Sequence, residues 1–380
     1  MQVLKPARQT VVLTLALCTT VAYADGPAIP RDFDWTGPEG SAGSGTADPS
    51  SPDPTEAPQD DKGTAMGKQQ LFPTRDSKQL GVIDGDLSAA GIVDERSARI
   101  TEALRTGDYE QAEALLLKAA EARPWSSEVL RLLGGVFFLR GRPLNAAVAL
   151  KKAEALAPLD ERSRFTLVMA YVALGHRDWA RPELAKLVEA APANPLYPYW
   201  TGRLDYDDQQ YATAVKSLLR AVELDPRFTK AHDNLGLCYE ALGRFDEAAR
   251  SWEEAIRLDR EQPTRSPWPS LNLGLLMTRL DRLDAAETRF RESLACDPRF
   301  APAHYHLGLT LEKKGRATEA VAELEEAARL DPASAEAQYA LARVYRRRGD
   351  REKADRARQR FEQIKKETDE KQGRGAPGPR

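Results

Sequence analysis

Residues 301–334 read APAHYHLGLTLEKKGRATEAVAELEEAARLDPAS, and this stretch decides the fold. Leu307, Gly308, Leu311, Ala320, Leu324 and Ala327 recur at helical spacing on two segments separated by Lys314-Gly315-Arg316, and Pro332 closes the unit. That pattern predicts two antiparallel amphipathic helices joined by a tight turn. Such a pair cannot bury its apolar face alone and requires stacked neighbours of the same kind.

The neighbours recur at a fixed interval. Pro124, Pro158, Pro192 and Pro226 fall 34 residues apart, as do Pro298 and Pro332. A second unit carries Leu130, Leu133, Gly134, Phe137, Gly141, Ala146, Leu150, Ala153 and Pro158; a fifth carries His232, Leu235, Gly236, Tyr239, Gly243, Phe245, Ala248, Trp252 and Ala255. This pattern resembles the tetratricopeptide repeat closely. The resemblance implies an all-α fold, a right-handed α-solenoid of about eight helix-turn-helix repeats starting near residues 93, 127, 161, 195, 229, 267, 301 and 335.

Physical reasons accompany the pattern. A Gly at the eighth place of a unit and Ala at the twentieth and twenty-seventh let two helix backbones approach, while larger apolar residues fill the groove beside them. The turn glycines Gly107, Gly141, Gly175, Gly243, Gly315 and Gly349 suit a conformation that a side chain resists. Two units break the rule. Repeat four has Asp205 where an aromatic is expected and Gln209 at the turn, which puts its packing in question and nominates Tyr206 to turn inward. Between repeats five and six about four residues are inserted around Glu261–Pro269, placing a loop at one edge, near the groove, with Trp268.

Upstream, residues 1–24 combine Lys5 and Arg8, the apolar run Val11–Cys18 and Ala22-Tyr23-Ala24, the order of a secretory signal peptide cut after Ala24. Export across the inner membrane to the periplasm is the expected localisation. Lipid anchoring through Cys18 is the lesser alternative, because Leu17 stands where a small residue normally precedes a lipidated cysteine. Residues 25–92 are rich in Gly, Ser, Pro and Asp, with five basic against twelve acidic residues, and read as a disordered tether. Asp32-Phe33-Asp34-Trp35 within it is a candidate linear motif. Residues 93–368 hold the solenoid and 369–380 a disordered tail.

Net charge is −3 and charged residues make up 30% of the chain, which fits solvated helical faces. The charge is unevenly placed: residues 343–380 carry fourteen basic against seven acidic residues. Arg343, Arg346 and Arg347 form a candidate basic end, read either as a solvated terminal helix or as an attractant for an acidic peptide or anionic surface. Nucleic acid is not an expected partner for an exported, near-neutral array. Cys238 and Cys296, at places usually filled by Ala and Leu, read as buried small hydrophobes, and His232, His304 and His306 as packing residues; no metal or other cofactor is expected. No G-x-S-x-G, phosphate-binding glycine loop or H-E-x-x-H occurs, so no enzymatic activity is expected.

The remaining candidate is the surface made by stacking. The resemblance implies a concave groove lined by the second, fifth, sixth, ninth, twelfth and thirteenth places of each unit. Those places include Phe138, Leu139, Phe165, Met169, Tyr199, Tyr206, Leu237, Trp268, Leu271, Leu275, Tyr305, Leu309 and Tyr339, a strip suited to a helix or extended peptide. Asn234, Asn272 and His306 share the sixth place and form a candidate ladder for a peptide backbone. Lys230 fits one place of the family's two-carboxylate clamp, but its companions are missing, so C-terminal carboxylate recognition is not expected. The expected function is a noncatalytic adaptor in the cell envelope, with no transmembrane segment after cleavage, serving assembly work such as pilus, secretion or polysaccharide export. Two alternatives stand beside it: an accessory subunit presenting a protein or glycan chain to a separate enzyme, and a self-associating structural oligomer.

Overall fold

The computed structural model describes residues 95–371. The leader, the Cys18 alternative, the tether with its Phe33/Trp35 motif, and residues 372–380 lie outside the described residues. Repeat 1 holds α1 (Glu95–Thr106) and α2 (Tyr109–Ala122), repeat 2 α3 (Ser127–Leu139) and α4 (Pro143–Leu156), and repeat 3 α5 (Glu161–Ala173) and α6 (Arg177–Ala190). Repeat 4 holds α7 (Leu196–Asp207) and α8 (Tyr211–Leu224), and repeat 5 α9 (Thr229–Ala241) and α10 (Phe245–Asp259). Repeat 6 holds α11 (Trp268–Arg279) and α12 (Leu283–Cys296), repeat 7 α13 (Ala301–Lys313) and α14 (Ala317–Leu330), and repeat 8 α15 (Ala335–Arg347) and α16 (Arg351–Lys371). α16 runs past the expected start of the tail at 369, with Lys366 Nζ 3.9 Å from Glu370 one turn on.

In five of the eight repeats the two helices meet at a glycine. A Cβ built on Gly134, Gly202, Gly236, Gly274 or Gly308 would come within 2.5–2.7 Å of Leu150, Leu218, Trp252, Phe290 or Leu324 respectively, always the side chain sixteen places later. The second helix therefore lays a large apolar side chain directly on the backbone of the first. Six turns between paired helices use glycine at φ +70 to +80°, and two use Gln209 (φ 60°) and Asp281 (φ 56°). In repeat 2, Arg142 N–H donates to the Phe137 carbonyl (2.9 Å) and Gly141 N–H to the Phe138 carbonyl (3.0 Å), closing the first helix in the left-handed turn typical of helix C-termini.

Every helix packs on its sequence neighbours, and successive first helices also touch: α3 with α5, α7 with α9, α9 with α11, α11 with α13, and α13 with α15. No two successive second helices among the described residues approach as closely. The first helices therefore form the inner, concave layer and the second helices the outer one.

Three junctions between repeats carry an ionic key at the same place. Glu113 on α2, 6% exposed, accepts from Arg140 Nη1 (2.7 Å) and Arg142 Nη1 (2.6 Å), which flank the turn of the next repeat. Glu287 on α12 is gripped the same way by Lys314 (2.5 Å) and Arg316 (2.7 Å). Between repeats 3 and 4 the polarity is reversed: Arg181 on α6 donates to Asp205 and Asp208, each at 2.7 Å. The acid at 205, out of place as a packing residue, is thus the buried half of a reversed key, and Tyr206 is half-buried against Tyr211 (5.5 Å). At the equivalent place the other junctions carry Ala147, Val215, Ala249 and Val321.

The loop inserted after α10 is tied down by Asp259, whose Oδ2 accepts from Ser266 N–H (2.5 Å), and Trp268 then opens α11 edge-on to Phe300 (4.9 Å). His304 bridges the Pro298 carbonyl (3.1 Å) and the Glu323 carboxylate (2.7 Å); both neighbours accept, and Glu323 raises the imidazole pKa.

The Gly236 contact is with a rigid indole whose Nε1 donates to the Asp233 carbonyl (3.1 Å), so Gly236→Ala should destabilise by roughly 1–3 kcal/mol. Gly308→Ala meets a rotatable Leu324 and should lower the chemical-unfolding midpoint less; equal losses would refute the rigid-contact account. Arg181→Glu should cost about 3 kcal/mol, near the low end for a stranded buried charge because Arg181 is one-third exposed. Urea unfolding checks it, with Arg181→Met expected to lose less.

Candidate functional site

The inner face is more closed than an exposed strip. Phe165, Met169, Tyr199, Leu237 and Leu271 are buried, at 3–7% exposure, and so belong to the packing between helices. The first helices stand close enough for their side chains to fill the space between them. Phe165 packs on Tyr197 (5.7 Å) and edge-on to Trp200 (6.4 Å), and Tyr199 on Phe228 (4.8 Å). Phe138, Tyr206, Trp268, Leu275, Tyr305, His306 and Leu309 are half-buried, and only Tyr339, Arg343, Arg346 and Arg347 among the candidates are exposed. The partly open apolar surface is thus brought together on α11, α13 and α15, by Trp268, Leu275, Tyr305, Leu309 and Tyr339.

The sixth-place ladder is also committed internally. Asn234 accepts from Arg203 Nη1 (2.8 Å) through Oδ1 and donates through Nδ2 to the Lys230 carbonyl (2.8 Å). Asn272 Nδ2 donates to Asp233 Oδ1 (3.0 Å). His306 lies against Phe290 (5.9 Å) and Tyr305 (4.9 Å). Asn234 and Asn272 are therefore polar ties between adjacent first helices rather than a row awaiting a peptide backbone, because each finds its partner one helix back.

Arg203 and Asp233, the partners of these ties, escaped the reading of the sequence. Arg203 is 6% exposed, lies over the Tyr206 ring (5.9 Å) and has Asp207 3.7 Å from Nη2. Burial pushes the Asp233 carboxyl up to about 6, against the pull of Asn272, Trp252 and Arg203, and burial also raises Asp207. The available signal was a charged residue at the fifth or ninth place about one repeat before each Asn.

At the far end, Glu312 on α13, 8% exposed, accepts from Arg343 Nε (3.0 Å) and Nη2 and pairs with Arg347 Nη1 (2.9 Å). The basic end is therefore partly neutralised by an acid one repeat earlier. Cys238 and Cys296 are free thiols, the first buried. Among the described residues no three His, Cys, Asp or Glu side chains converge as a metal site requires, and no helix is long and apolar enough to cross a membrane.

These features define an α-solenoid of stacked helix pairs with a concave first-helix layer. Family models for the tetratricopeptide repeat match residues 97–161 and 202–243, and one described as the middle TPR-like domain of cilia and flagella-associated protein 70 matches 233–365. The chain is a tetratricopeptide repeat protein. It is similar to the type IV pilus assembly protein PilF of Pseudomonas aeruginosa, 25% identical over 150 residues covering 39% of this chain and 60% of PilF. It is also similar to Hsp70-Hsp90 organizing protein 1 of Glycine max, 31% identical over 93 residues covering 24% and 16% of the two chains. In fold it is similar to yeast Tom70, with TM-score 0.50 and 20% identity over 72% of this chain and 60% of that one. The chain spans between 8% and 60% of the length of the curated relatives it matches.

The raised Asp233 pKa has a definite sign. Between about 4 and 6 the folded chain holds a proton that the unfolded chain has released, so stability from this group falls as pH rises through that window and stays low above it. Asp233→Asn keeps an acceptor for Asn272 and should flatten that fall, raising the urea midpoint at pH 7 relative to pH 4.5. An unchanged pH dependence would remove the buried carboxylate from the account.

Proposed function

We propose that this chain is a noncatalytic scaffold that captures a helix or extended segment of a partner protein on the inner face of repeats 6–8. The observation carrying this reading is the partly open run of Trp268, Leu275, Tyr305, Leu309 and Tyr339 on three successive first helices, the last of them 56% exposed. Large apolar side chains left accessible on a concave wall gain free energy when a complementary apolar face covers them. The buried positions of repeats 3–5 hold the wall rigid, so a partner meets a preformed surface and little ordering cost is added on binding.

The names of the relatives agree in kind: one is a type IV pilus assembly protein and another an Hsp70-Hsp90 organizing protein. Together with the leader-like N-terminus, the resemblance to PilF supports a working place in the cell envelope, on the periplasmic side of the inner membrane.

A photo-crosslinking residue placed at Leu309 or Tyr339 in cells should yield a discrete protein adduct, whereas the same residue at exposed Glu319 on the second helix of repeat 7 should not. Tyr339→Ala should then weaken capture of that partner by about 2 kcal/mol or more with helical circular dichroism unchanged. Adducts of equal yield from position 319 would sink the inner-face reading.

A further inference from the structure

The last inner helix differs from those before it. On α15, Tyr339, Arg343, Arg346 and Arg347 fall at spacings of four, three and one, which sets them along one helix face. Tyr339 is 56% exposed, and the Arg343 and Arg347 side chains are 41% and 65% exposed. On the earlier inner helices the guanidinium groups find partners: Arg203 donates to Asn234 on the next first helix and has Asp207 one turn along its own, and Arg279 meets Glu240 at 3.2 Å. On α15 a single carboxylate serves two guanidinium groups. Arg343 uses Nε and Nη2 on Glu312, Arg347 shares that carboxylate through Nη1 alone, and Arg346 forms no ion pair among the described residues. Lys313, exposed at the same place one repeat earlier as Arg347, adds a further cation. On α16, by contrast, Arg356 pairs with Glu352 and Arg358 with Glu362 one turn away.

We infer that this stripe recognises an acidic segment of a protein partner, whose carboxylates engage the outward edges of Arg346 and Arg347 while an apolar or aromatic residue beside them covers Tyr339. The inference rests on the inner-face reading above and gives the partner's chemistry. Guanidinium groups present paired N–H donors that match carboxylates, and an aromatic ring among them supplies the apolar contact that a purely ionic patch lacks. Because the stripe belongs to the concave layer, a flat bilayer cannot lie along it. Because Arg346 and Arg347 form a short cluster at the end of one helix, the stripe lacks the extended basic track that a nucleic acid backbone requires.

The test uses the full chain and fluorescence anisotropy with a labelled Glu-rich peptide carrying a central Phe, beside the same peptide with Gln for Glu. The Glu peptide should bind and weaken with added salt, and the Gln peptide should bind about tenfold more weakly. Arg346→Glu with Arg347→Glu should cost at least about tenfold, Arg346→Lys with Arg347→Lys a smaller loss because Lys lacks the fork, and Arg356→Glu with Arg358→Glu on α16 little. Equal binding of the Gln peptide, or an equal loss from the α16 reversal, would overturn the stripe. So would phosphatidylserine vesicles binding the chain more tightly than the peptide in an Arg346/Arg347-dependent way. Persistence of the Leu309 adduct while the Glu peptide fails would sink the stripe alone; loss of both would sink the inner-face reading with it.

Discussion

Five of the eight repeats depend on a contact between a glycine and a large side chain sixteen places later. Gly236 beneath Trp252 and Gly274 beneath Phe290 leave no room for even one methyl group, so in these repeats the second helix rests where the first has no Cβ. That contact fixes how the two helices of a repeat cross, and the crossing repeats with the sequence. Once the angle is set, first helices converge on the inner side and second helices spread on the outer side. A concave wall then results from packing alone.

Stacking order has a second layer of control. At the key place the other junctions carry the apolar Ala147, Val215, Ala249 and Val321, and close packing there discriminates by size. The keys at Glu113, Arg181 and Glu287 discriminate by sign as well, and the reversal at Arg181 makes its junction incompatible with the other two. A buried ion pair contributes little net stability against an apolar substitute, but a mismatched one strands a charge and costs several kcal/mol. These keys lie where the outer helix meets the next turn, away from the inner face, so register is kept without using the binding wall.

Along that wall the chain divides its work. In repeats 3–5 the inner residues are consumed by aromatic packing and by the ties from Arg203 to Asn234 and from Asp233 to Asn272. In repeats 6–8 Leu271 and Asn272 are buried, but Trp268, Leu275, Tyr305 and Leu309 remain partly open, ending in an exposed tyrosine and an unbalanced set of arginines. A rigid, self-satisfied half therefore supports a half that still has contacts to make, a division that lowers the ordering cost of any complex.

The sequence by itself determined the repeat length, the helix pairs, the turn positions and the small residues at the crossing. Each is a local requirement: Gly141 must take a positive φ, and Gly308 must leave space for Leu324 within its own repeat. The resemblance to the tetratricopeptide repeat likewise placed Phe165, Tyr199 and Asn234 on the inner side, and the charge count marked Arg343 as part of a basic end. Only the tertiary structure decided what covers them, because the partner comes from another helix about one repeat away: Trp200 beside Phe165, Phe228 on Tyr199, Arg203 on Asn234, Glu312 under Arg343. Periodicity states which way a side chain faces, but exposure depends on the distance and tilt of the next helix, and those are set by packing across the junction.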